Sequence, residues 1–117
     1  MPDKSASLYL KNCIDHLKVI RKRISSIQTA DDFVKTDDGK TLLDAISMRL
    51  QAIGENIKKV EKINPSLLEK HPEVEWQKII RFRDIISHHY NMLDYEIIFT
   101  ICKKDLPALK KAISDLL

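Results

Sequence analysis

Two stretches of the chain carry apolar residues at alternating steps of three and four. The first reads Leu10, Cys13, Leu17, Ile20, Ile24 and Ile27; the second reads Leu43, Ile46, Leu50, Ile53, Ile57 and Val60. Such steps place side chains on one stripe of a helix, the seam along which it packs lengthwise on another helix. The pattern predicts two long helices that pair. Ser5 is positioned to cap the first, and Asp37-Asp38-Gly39 offers caps for the second. Between them Thr29-Ala30-Asp31-Asp32 has the spacing of a capping box and introduces Phe33 on a single turn. Asn64-Pro65 ends the second helix, because a residue before proline avoids the helical region.

Pro65 to Pro72 reads as a short helical turn and a linker. Pro72 then suits the first position of a third major helix, with Glu73 and Glu75 at its positive end. Trp76, Ile79, Ile80, Ile86 and Tyr90 keep the helical period along it. Asn91 to Asp94 breaks the period, and Asp94 caps a fourth helix bearing Ile97, Ile98 and Ile101. Asp105-Leu106-Pro107 restarts or kinks the chain into a last helix with Leu109, Ile113 and Leu116. The expectation is all-α: an antiparallel, up-and-down bundle of about four to five helices, with residues 1–117 as a single domain. Gly54 sits inside the second seam, where glycine costs about 1 kcal/mol against alanine. An interior glycine marks the close approach of another backbone, here a neighbouring helix or a ligand.

Composition narrows the function classes. Apolar residues make up 44% and charged residues 32%, an ordinary globular balance, and 2 glycines and 4 prolines leave room for few turns. No apolar run approaches the roughly 20 residues that span a bilayer, and Met1-Pro2-Asp3-Lys4-Ser5 is not a signal peptide. Cys13 and Cys102 stand far apart, without metal-ligand spacing, and are expected as buried thiols in a reducing cytoplasm. The net charge of +3 tolerates a polyanionic partner without demanding one. Phosphate-binding glycine loops, nucleophile elbows, paired zinc ligands and dinucleotide fingerprints are missing.

One stretch is unusual: Arg81-Phe82-Arg83-Asp84-Ile85-Ile86-Ser87-His88-His89-Tyr90 holds two of the 4 histidines, with two arginines upstream. Histidine titrates near neutrality and suits proton transfer; arginine stays charged and offers a planar fork to phosphate oxygens. That pair suits acid–base work on a phosphate ester, without a metal or other cofactor. On a straight helix, positions 83 and 88 lie roughly 140° apart. They share a face only if the helix bends or ends between them, or if a two-fold dimer joins two copies of the motif.

Arg83, four residues, His88, one residue, Tyr90 resembles the Arg-x4-6-His signature of HEPN domains, in the Arg-x4-His-x-Tyr form of HepT toxins. Gly54-Glu55, Trp76, a polar residue after the arginine and Leu106-Pro107 are similar too, so the resemblance covers nearly the whole chain. It implies an HEPN-like bundle and a metal-independent endoribonuclease toxin of a type VII toxin–antitoxin system, acting as a homodimer with a composite site. It also implies a minimal nucleotidyltransferase antitoxin as partner, which adenylylates the motif tyrosine, here Tyr90. Arg83 and His88 are then the catalytic pair, with Asp84, His89 and Arg81 as supporting residues. Arg81 to His88 and Arg83 to His89 fit the spacing as well, and only the resemblance chooses Arg83.

Plainer readings stay open at this point. Arg83 is accounted for as a surface cation pairing with Glu75, Asp84 or Asp94, His88 and His89 as a solvated helix end, and Tyr90 as a half-buried anchor. Asp84, placed to orient His88 or Arg83, is also consistent with simple solvation. His16 and His71 read as structural, Trp76 as core, and Gly54 and Glu55 as packing and a buried or capping carboxylate. Arg21-Lys22-Arg23 and Lys58-Lys59 read as solvated charge or as an RNA track. A non-catalytic subunit that binds nucleotide or substrate for a nucleotidyltransferase is the alternative function.

Overall fold

In the computed structural model, residues 4–88 and 94–117 are described, with the backbone alone for Ser87 and His88. All regular structure among these residues is helical. Helix α1 (Lys4–Ile24) and helix α3 (Asp37–Ile63) pair lengthwise, and every residue of both predicted seams is buried. Their antiparallel register is marked by Cys13, whose thiol sits 3.9 Å from the Ile53 carbonyl, and by His16 beside Arg49. Burial of aliphatic side chains at about 25 cal/mol per Å2 is the main force holding this pair.

The short helix α2 (Asp32–Lys35) buries Phe33 and is entered as the capping-box spacing predicts: Asp32 accepts from the Gln28 and Thr29 amides. The cap of α3, however, is Thr36, whose hydroxyl accepts from the Gly39 amide at 3.0 Å. Asp37 and Asp38 form its first turn, where their charge opposes the positive helix end. Ser5 likewise falls inside α1 instead of before it. Asn64 ends α3, and helix α4 (Pro65–Leu68) follows directly.

The third major helix departs most from expectation. It begins at Trp76, not Pro72, and is split at Arg81 into helix α5 (Trp76–Ile80) and helix α6 (Phe82–His88). The late start has a packing cause. Val74 and Trp76 are both buried, a spacing of two that one helix face cannot satisfy. The linker is instead tied by its own carbonyls: the Trp76 indole N–H and the Val74 amide both donate to the His71 oxygen.

After the undescribed 89–93, helix α7 (Tyr95–Thr100) is capped by Asp94, which accepts from the Glu96 and Ile97 amides. The chain then neither stops nor restarts. A π-helical turn at Ile101–Asp105 leads straight into helix α8 (Leu106–Leu116), the Leu106 amide donating to the Ile101 carbonyl five residues back. Pro107 lacks an amide for the ordinary ladder, and the widened turn just before it lets the helix pass without a break. Helix α8 packs on α1 and completes the up-and-down bundle. Among the described residues, no helix is long and apolar enough to cross a membrane.

Candidate active site

Gly54 fixes the position of the motif helix. A Cβ there would lie 2.8 Å from the Ile79 carbonyl oxygen, 3.2 Å from that of Ile80 and 3.6 Å from the Arg83 amide nitrogen. The α5–α6 turn therefore rests on the backbone of α3, and the close approach foreseen at this glycine is to a neighbouring helix. Phe82 and Ile86 anchor α6 in the core, which leaves Arg83 and Asp84 on its exposed side.

Arg83 does not pair with Glu75 or Asp94. Its Nε lies 3.4 Å from Glu55 Oε1, with about half of each side chain in solvent. Glu55 is thus neither buried nor a cap, as its place beside a core glycine suggested, but the carboxylate facing the motif arginine. A signal was present in the sequence: the residue after a contact glycine lies about 100° round the helix, at the margin of the contact. The pair is exposed and long, so the guanidinium is available to a stronger anion.

Arg81 has a different setting. It occupies the turn between α5 and α6 and lines an open groove of about 580 Å3 with Glu61, Glu69 and Glu75. Its three carboxylates outnumber its two cations, and the second cation, Lys78, is held by Asp105 at 2.8 Å, which makes that groove unfavourable for phosphate.

His88 ends α6, and no break separates it from Arg83. The two positions are therefore about 7.5 Å apart along one axis and about 140° apart around it. The turn at Arg81 precedes both and does nothing to bring them onto one face. His89 and Tyr90, expected as a supporting residue and a modification site, lie outside the described residues.

The other two histidines have structural partners. His16 Nδ1 faces Arg49 Nη1 at 3.0 Å, and burial, reinforced by the Arg49 charge, lowers its pKa. His71 Nδ1 is 3.0 Å from Glu73 Oε2. Burial pushes the thiols of Cys13 and Cys102 up to about 12, so both are protonated packing groups. A groove of about 530 Å3 between α1 and α8 has an aliphatic floor and a rim of Arg21, Lys103 and Lys110, with no acid–base pair. Among the described residues, no three His, Cys, Asp or Glu side chains converge as a metal site requires.

Comparison with known proteins gives one consistent result. The sequence model of the family described as Ribonuclease HepT-like matches residues 13–116. The chain is 32% identical over 117 residues to a Methanocaldococcus jannaschii protein named a putative RNase, covering all of this chain and 91% of the relative. It is 31% identical over 114 residues to a protein of the same description from Caldanaerobacter subterraneus subsp. tengcongensis, covering 97% and 96%. With a Thermococcus cleftensis protein named probable ribonuclease HepT it shares 30% over 102 residues, covering 87% and 86%. No solved structure gives a significant match. The chain belongs to the HepT-like ribonuclease family of the HEPN superfamily.

Proposed function

We propose that the protein is a metal-independent endoribonuclease toxin of a type VII toxin–antitoxin system, with Arg83 and His88 as its catalytic pair. The observation that carries this reading is the seat of Arg83. Its guanidinium is exposed on a helix locked against Gly54, on the same unbroken helix as His88, in a HepT-like chain. The acidic surroundings of Arg81 favour Arg83 over its neighbour as the phosphate contact.

In this reading the ribose 2′-oxygen attacks phosphorus as His88 takes its proton. The bond to the 5′-oxygen breaks, that oxygen takes a proton from water as it leaves, and His88 afterwards returns its own proton to solvent. Arg83 leaves Glu55 for the phosphate and offsets the charge that builds on its oxygens. The products end in a 2′,3′-cyclic phosphate and a 5′-hydroxyl. Because positions 83 and 88 diverge by about 140° on one helix, a homodimer supplies the complete site, the arginine of one copy facing the histidine of the other. Asp84, exposed next to Arg83, and the motif's His89 serve as supporting groups in this reading. A nucleotidyltransferase antitoxin attaches adenylate to Tyr90, and the negative charge this adds to the motif repels RNA.

The test is incubation of wild type, Arg83→Ala and His88→Ala with mixed cellular RNA in excess EDTA, followed by analysis of product ends. Cleavage by wild type alone, leaving cyclic phosphates, is expected. Cleavage that needs added Mg2+ removes metal independence, and full activity of a sedimenting monomer removes the composite site. No cleavage by wild type whose Tyr90 is free of adenylate by mass would turn the reading to a non-catalytic partner of a nucleotidyltransferase.

A further inference from the structure

The geometry points to a phosphate-backbone track on α3, in which Lys58 and Lys62 lead single-stranded RNA to Arg83; it rests on the ribonuclease reading above. Glu55, Lys58 and Lys62 follow one another at helical steps of three and four, so their positions fall within about 60° of one another on α3. Arg83 reaches the same face, because its Nε lies 3.4 Å from Glu55. Along the axis, Lys58 and Lys62 stand about 4.5 Å and about 10.5 Å beyond Glu55. Three neighbouring positions on one face of α3 thus lead to the place where Arg83 meets it.

Both lysines are exposed, and among the described residues neither has a carboxylate within ion-pair distance. The nearest acids on α3, Glu55 and Glu61, keep their charge but turn to other partners, Glu55 to Arg83 and Glu61 to the Gln77 amide that donates to it from α5. Lys58 and Lys62 are also four apart on one helix, an arrangement in which like charges repel. A solvated face gains nothing from that repulsion, whereas a polyanion laid along it relieves it.

The structure separates this pair from the other cations the sequence set beside it. Lys59 lies only about 40° from Glu55 around α3, but its side chain reaches across to α1, its Nζ 5.1 Å from the centre of the Tyr9 ring. Arg21, Lys22 and Arg23 close the last turn of α1, where cations offset the negative helix end. Lys62 shares that benefit at the end of α3, but Lys58, a turn earlier, does not. Lysine is a point charge without a fixed fork, so the track holds the backbone and reads no bases.

Binding to a labelled 2′-O-methyl oligoribonucleotide, uncleavable because the attacking hydroxyl is blocked, tests the track by anisotropy across a salt series. Each phosphate contact on a single strand contributes a slope of about −0.7 in log affinity against log salt. Lys58→Gln and Lys62→Gln are each expected to reduce the slope by about 0.7 and the double variant by about 1.4. Lys58→Arg keeps the slope, and Lys11→Gln, an exposed lysine of α1, leaves binding unchanged. Unchanged melting temperatures show that the variants fold. Wild-type affinity and slope in the double variant overturn the track and leave the nuclease standing. Wild type that does not bind the oligonucleotide also overturns it, and if that protein fails to cleave RNA too, the ribonuclease reading falls with it.

Discussion

Gly54 and Ile79 meet backbone to backbone: a Cβ on the glycine would stand 2.8 Å from the isoleucine carbonyl oxygen. This contact, made possible by a missing side chain, sets where the α5–α6 turn rests on α3 and so where Arg83 stands relative to Glu55.

Gly54→Ala sets two effects against each other. Alanine gains about 1 kcal/mol of helix propensity over glycine. The new methyl must push aside main chain instead of a flexible side chain, which costs about 1–3 kcal/mol in a packed core. The expected net result is destabilisation in urea unfolding, together with loss of RNA cleavage as α6 is lifted from α3. A variant more stable than wild type with full activity would show that the contact does not position the motif.

Glu55 and Arg83 form an exposed pair, worth about 1 kcal/mol or less to the fold. Glu55→Gln should therefore leave the unfolding midpoint nearly unchanged. It also removes the carboxylate that competes with phosphate for the guanidinium, so RNA affinity should rise, by up to about fivefold if the whole pair energy is recovered. Weaker RNA binding by the variant would mean that Glu55 holds Arg83 in its working position instead of competing for it.

His16 makes stability depend on pH. Burial and then the Arg49 charge lower its pKa from the ordinary value of 6.5, outweighing the opposite pull of Asp15. The neutral ring, with Nδ1 accepting from Arg49, is the form the fold prefers. Its contribution is complete above the unfolded value near 6.5 and is lost as pH falls through the lowered folded value. Urea midpoints for wild type should drop between pH 7.5 and 5, and His16→Gln should flatten part of that drop. Equal pH dependence in the two proteins would remove His16 from the account.

Cys13 and Cys102 are buried, and their thiols are pushed up to about 12. At pH 8 only about one thiol in 10,000 is ionised. A thiol reagent such as DTNB should therefore titrate neither in the native protein and both in guanidinium. Fast reaction of the native chain would show that these regions open readily.

The sequence by itself determined the two long seams, because burial along a helix writes a period of 3.6 into the residue types, and every seam residue is indeed in the core. It also marked the Asp94 cap, the end of α3 before Pro65, and the glycine where another backbone had to come close. It placed Arg83 and His88 on one helix, although it began that helix at Pro72 and did not show the break at Arg81. These features are local, and local chemistry is legible in one dimension.

The tertiary structure decided what depends on residues distant in the chain. Helix α5 starts at Trp76 because burying both Val74 and Trp76 forces the linker off the helical path, and the hydrogen bond from the indole to His71 holds it there. Glu55, 28 positions before Arg83, became its partner only because Gly54 admits the α5–α6 turn. Lys58 and Lys59 are adjacent in sequence, yet Tyr9 on another helix draws one of them away. Periodicity shows which face of a helix is buried; which side chains meet across two faces follows from how closely their backbones can approach.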